Sequence, residues 1–231
     1  MSRSSVATRR TIGGAILAVL VLAGCGGGEQ PVQTDDTATP STSTPQAGPT
    51  GTTDPAKAST TTTPVVLADD IPVAFTPTGG WSGSWPDPIL AECTEPLVDG
   101  APDLRGMWRV IDVTDDAGAP LPEHNALGHL QRIEQCGNRL VVTAGGVIHD
   151  MRCDGTEANG VHDVAEFDKQ TPINVVASYE DGVHVLRPVG LPIEVTRWRD
   201  GEHALWKYVG FTARMELVGP PETDPATLQE V

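Results

Sequence analysis

Aromatic residues are scarce in this chain: tryptophan, tyrosine and phenylalanine together make up 4% of 231 residues. Basic residues are scarce too, with 15 Lys and Arg against 31 Asp and Glu, a net charge of −16. Such an acidic surface excludes the phosphate-neutralising contacts on which nucleic-acid binding depends, and it disfavours direct attraction to anionic lipid headgroups. No apolar run reaches the roughly 20 residues of a membrane-spanning helix. The longest, "TIGGAILAVLVLAG", covers only residues 11 to 24. Also missing are G-x-S-x-G, H-E-x-x-H, C-x-x-C and any glycine-rich phosphate loop. The expectation is therefore a protein that is not an enzyme and needs no cofactor. Five of the few aromatics are Trp. They suit either a sugar-stacking platform or the filled ends of a small barrel, and the sequence leaves both open.

What is present begins at the N-terminus. "MSRSSVATRR" carries Arg3, Arg9 and Arg10 and no acid, and the short apolar run follows it directly. That order is the make-up of a secretory signal. The run ends in "LAGC", residues 22 to 25, which resembles the lipobox of bacterial lipoproteins. The resemblance implies cleavage after residue 24 and acylation of Cys25. Two acyl chains hold a protein to a bilayer where one would slip off, at roughly 0.8 kcal/mol per buried methylene. The expected location is the outer, extracytoplasmic face of the cell membrane, a compartment that permits disulfides.

Residues 25–70 are rich in Thr, Pro, Ser, Gly and Ala, as in "TDDTATPSTSTPQAGPTGTTDPAKASTTTTP". Such a segment lacks the apolar surface to offset its ordering entropy and reads as a disordered, rather extended stalk. Residues 71–103 form a pre-barrel segment packed on the domain, 104–218 the domain itself and 219–231 a tail. Loss of the leader leaves 12 basic residues against 31 acidic ones.

The domain is punctuated by Gly137-Asn138, Gly145-Gly146, Asp154-Gly155, Asp181-Gly182 and Asp200-Gly201, dipeptides that supply the positive φ of tight hairpins. Between and around them run short β-rich stretches, among them "RGMWRVIDV", "RLVVTA", "VIHDMR", "INVVASYE" and "FTARMELV". No amphipathic helix is apparent; only "LPEHNALGHL" has the makings of a helical turn or lid. The expected fold is all-β, an antiparallel meander of about eight to ten strands closed into a barrel, because closure hides strand edges. Gly106 and Trp108 in "LRGMWRV" resemble the G-x-W opening of lipocalins and other calycins. The resemblance implies a lipocalin-like barrel in which Arg214, from the last strand, packs across Trp108 at the closed end, a favourable cation–π pairing.

Two-residue turns at 137–138 and 145–146 fix a register for three strands. Ile133 then faces Val142 and Val142 faces His149; Gln135 faces Leu140 and Leu140 faces Met151; Gln131 faces Ala144 and Ala144 faces Val147. Cross-strand partners share a face, and this one is apolar enough to line the interior. Arg132, Glu134, Arg139 and Asp150 fall on the other side. Alternation sends His149 inward and Asp150 outward, so this His-Asp pair, like His162-Asp163, cannot grip one metal ion. Neither a metal site nor a catalytic site is expected there.

His149, Gln131 and Gln135, set among Val142 and Met151, match the usual make-up of a ligand pocket, few polar groups in an apolar lining; buried polar groups satisfied by one another and by water are the plainer alternative. Of Cys93, Cys136 and Cys153, two can bridge. Cys136 with Cys153 is slightly favoured because both sit at the same end of neighbouring strands; a bridge from Cys93 would instead pin the pre-barrel segment to the wall. Three functional readings remain. One is a lumen that binds a small apolar or amphipathic ligand; a second is a scaffold module whose barrel is filled by its own side chains. The third is a metal- or haem-binding barrel using His149 with His162 or His184.

Overall fold

The computed structural model describes residues 64–228. Cys25, the leader and most of the Thr/Pro-rich stretch lie outside them. Among the described residues ten strands succeed one another: β1 (Gly106–Asp115), β2 (Leu130–Cys136), β3 (Arg139–Ala144), β4 (Val147–Arg152), β5 (Val161–Val164), β6 (Pro172–Glu180), β7 (Val183–Pro188), β8 (Val195–Asp200), β9 (His203–Tyr208) and β10 (Phe211–Gly219). They form one antiparallel sheet in the order β4-β3-β2-β1-β10-β9-β8-β7-β6-β5. Among the described residues, helical structure is limited to single 3-10 turns at Ala68–Asp70 and Pro225–Leu228. The 121–130 stretch forms turns rather than a helix.

Turn chemistry sets the register. Asp181 and Gly182 both take positive φ, 49° and 79°, the geometry of a type I′ hairpin, and Glu180 pairs with Val183 across them. The two-residue turns at 137–138 and 145–146 give the pairing their spacing dictates: Gln131 opposite Ala144, Ile133 opposite Val142, Val142 opposite His149 and Leu140 opposite Met151.

The sheet curls until its edges, β4 and β5, meet without a ladder, so the barrel is nearly closed. Isolated hydrogen bonds cross the seam: Arg152 N donates to Asn159 O at 2.7 Å, and Gly155 N donates to Ala177 O on β6 at 2.9 Å. Residues 74–76 strap the seam from outside. Ala74 N donates to Asp150 Oδ2 on β4, Thr76 N donates to Asp163 Oδ2 on β5, each at 2.8 Å, and Ile148 N donates to Thr76 Oγ1 at 2.9 Å. These bonds occupy edge groups that would otherwise invite another chain.

One end of the barrel is filled. Trp108, Leu104, Ile133, Leu140 and Met215 are fully buried there, and Trp108 Nε1 donates to Leu104 O at 2.7 Å. Gly106 allows Leu217 of β10 to lie over it, where a Cβ would collide. The arginine across Trp108 is Arg199, its guanidinium 4.9 Å from the ring centroid, and not Arg214. Ala213 and Met215 point inward and are buried, so alternation turns Arg214 outward, where Nη2 donates to His203 Nδ1 at 3.0 Å.

The outer face of β2–β4 is not a solvent face. Arg132, Glu134, Arg139, Thr143 and Asp150 are all buried on it, under the segment that precedes the barrel. Ala68 and Leu90, with Ile71, Ala74, Trp81 and Ile89, pack on Val141, Ile148 and Cys136. Packing begins before residue 71, at Ala68, whose carbonyl accepts from Arg139. Arg139 uses all five of its N–H groups: Nε and Nη2 grip both oxygens of Asp150, and Nη1 and Nη2 reach the carbonyls of Ala68, Ile71 and Pro72, all within 2.6–2.8 Å. The disulfide follows the same layering. It joins Cys93 to Cys136, Cα atoms 6.2 Å apart, and leaves Cys153 free and buried. Cys136 to Cys153 fails because strand alternation turns them to opposite faces, Cys136 toward the covering segment and Cys153 into the interior.

Candidate functional site

The open end of the barrel is built from the turns β3–β4, β5–β6, β7–β8 and β9–β10 and the 116–129 connection. It holds a cavity of about 530 Å³, within the range of small-molecule sites. Its wall is aliphatic: Val161, Ile173, Val175, Leu186 and Val195, one inward position after another from β5 to β8. Phe167, Leu191 and Tyr208 sit on the rim and stay exposed. His124, from the connection over the mouth, packs on Phe211 with ring centroids 4.4 Å apart.

Besides His124, Asn125, His129 and Glu166, three polar side chains enter this lining. His149 Nε2 lies 3.0 Å from Val164 O and so spans the unladdered seam. Burial holds its pKa below the usual histidine value, with the Val164 carbonyl pulling the other way. A neutral ring donating to that carbonyl satisfies both. Trp206 on β9 and Arg197 on β8 line the inner end of the cavity, the guanidinium 5.6 Å from the indole centroid. Burial pushes Arg197 down to about 10, which leaves it charged at neutral pH.

The sequence-derived residues divide between this cavity and the packed end. His149 lines the cavity. Gln131 lies just beneath, its Oε1 3.5 Å from Arg197 Nε. Gln135 is bound into the filled end: Oε1 accepts from Leu104 N at 2.6 Å, and Nε2 donates to Pro102 O and Tyr179 Oη. Val142 and Met151 belong to the packed core. His162 faces outward, hydrogen-bonded to Asn174 Oδ1 and Glu157 O, so it cannot join His149. His184 does face inward, fully buried beside Arg197, its cross-strand neighbour. Burial there holds its pKa well below the ordinary value, with the Arg197 charge adding to the effect. Cys93, Glu95 and Cys136 converge closely enough to hold a metal ion, but the disulfide consumes both thiols. Burial pushes the Cys153 thiol up to about 12, too high for a nucleophile at neutral pH.

Sequence reasoning missed Arg197 and Trp206. In "VTRWRD" Arg197 points in and Trp198 out, against their hydropathy. Only the register carried from β9 could have shown it, since Arg197 pairs with Trp206 and Trp198 with Leu205.

The fold and site define an antiparallel meander barrel, packed at one end and open into an apolar cavity at the other. No protein-family model matches the chain, and no curated protein matches it. Among solved structures it is similar to human cRBP IV at 13% identity over 50% of this chain and 98% of that one, with a TM-score of 0.39.

Proposed function

We propose that this protein is a lipid-anchored, lipocalin-like carrier on the outer face of the cell membrane, taking a small apolar or amphipathic ligand into its open end. The observation that carries the reading is the cavity itself, 530 Å³ lined by inward aliphatic side chains with a few polar groups at its inner end. The test is calorimetric titration of the mature protein with dodecanoate and with dodecanol, kept below their aggregation concentrations. Saturable 1:1 binding of at least one probe is expected, lost in Val175→Trp, which fills the cavity. Absence of binding by both, or binding that Val175→Trp leaves intact, would overturn the lumen as the site. The packed end favours the second reading, a scaffold module with a filled barrel, and that result would be its support.

Anchoring rests on "LAGC" and the leader before it. Cys25→Ser should abolish incorporation of labelled palmitate and move the protein to the aqueous phase on detergent partition; unchanged labelling would remove the anchor.

A further inference from the structure

Arg197 is a buried cation facing a cavity, and nothing in the wall neutralises it. The residue is 6% exposed. Its polar contact is the 3.5 Å approach of Nε to Gln131 Oε1, at the limit of a hydrogen bond. Among the described residues Nη1 has no hydrogen-bond partner, and no carboxylate lies within ion-pair distance of the guanidinium. The acid whose charge it feels most, Glu166, is exposed at the rim.

Its neighbours repeat the pattern. His184, Arg197 and Trp206 stand side by side on β7, β8 and β9 as successive cross-strand partners. Both ring nitrogens of His184 and Trp206 Nε1 are likewise buried without partners. Inside a barrel an uncompensated charge is unfavourable, and each unsatisfied donor adds to the cost. A row of unused donors around a guanidinium is complementary to a small anionic group.

We infer that the ligand carries an acid group, and that this group seats on Arg197 and Trp206 Nε1 at the inner end of the cavity, with its apolar tail running toward the mouth along Val175, Leu186 and Val195. The inference rests on the carrier reading above and narrows it to amphiphiles with one carboxylate-sized anionic head. Arg197 presents two Nη groups as a fork, and such a fork matches a carboxylate.

The test compares dodecanoate with dodecanol at pH 8, where the acid is ionised, on the unmodified protein and on Arg197→Met. Unmodified protein should bind the acid at least tenfold more tightly than the alcohol. Arg197→Met should lose the preference and bind both probes equally, and its thermal midpoint without ligand should equal or exceed that of the unmodified protein. Equal affinities in the unmodified protein would overturn the inference and leave the carrier reading standing. So would an acid preference that survives Arg197→Met, or a fall in that variant's midpoint with loss of both probes, which would make Arg197 a structural residue. Failure of both probes on the unmodified protein would bring down the carrier reading, and the inference with it.

Discussion

Arg139 and Arg197 are both shut away from solvent, at 1% and 6% exposure, yet they live in opposite surroundings. Arg139 lies on the outer face of β3, under the covering segment, with Asp150 and three carbonyls taking every N–H. Arg197 lies on the inner face of β8 with Nη1 unused. The first locks one layer of the protein onto another. The second leaves hydrogen-bonding capacity open toward a cavity. Burial alone therefore says little about what an arginine does; the count of satisfied donors separates a structural clasp from a recognition group.

That contrast can be broken at its strong end first. Asp150→Ala leaves Arg139 buried without its counter-charge and should cost about 3–5 kcal/mol, read from urea unfolding. A loss below about 1 kcal/mol would mean that the carbonyls alone suffice. Next comes the disulfide, which ties the same covering layer to β2 across 43 residues. Its removal in Cys93→Ser/Cys136→Ser should cost about 2–4 kcal/mol, with reductant lowering the unmodified protein to the same midpoint. Coincident curves with and without reductant would show that the layer holds by packing alone. The smallest change belongs to Arg197→Met in the free protein, neutral or slightly stabilising, because an apolar side chain of similar length replaces an unpaired buried charge. A calorimetric midpoint lowered by several degrees would erase the distinction between the two arginines.

Much of the fold was legible because hairpin turns are local chemistry. Asp181-Gly182 and Gly137-Asn138 announce themselves, and the Gly145-Gly146 turn alone places His149 opposite Val142. The limit was reached where contacts are distant in sequence. Residues 64–103 have no hydrophobic period, only Pro, Thr and Asp between scattered apolar side chains, so which face of the domain this segment covers could not be read from the sequence. The bridge from Cys93 was weighed but not preferred, because nothing local distinguishes it. Of the cavity, His149 was found by register. Arg197 stayed hidden because a guanidinium is conventionally assigned to water, and β8 alternates Thr, Arg, Trp and Arg without an apolar face. The misassigned Arg214 has a different cause. The expectation came from the resemblance; Ala213 and Met215 point inward and turn Arg214 out, and Arg199, two strands earlier on β8, lies over Trp108 instead.

The strap at residues 74–76 has a mechanical consequence. Any pull transmitted along the chain from before residue 64 arrives on the covering layer and not on a β-strand. It meets the Arg139 bonds to the carbonyls of residues 68, 71 and 72 before it reaches Ala74 and Thr76. Those last two residues grip both sides of the one seam the sheet leaves unladdered. Tension strong enough to peel the strap would uncouple β4 from β5 while the other nine strand pairings remain laddered, so the barrel has a defined line along which it would part under load.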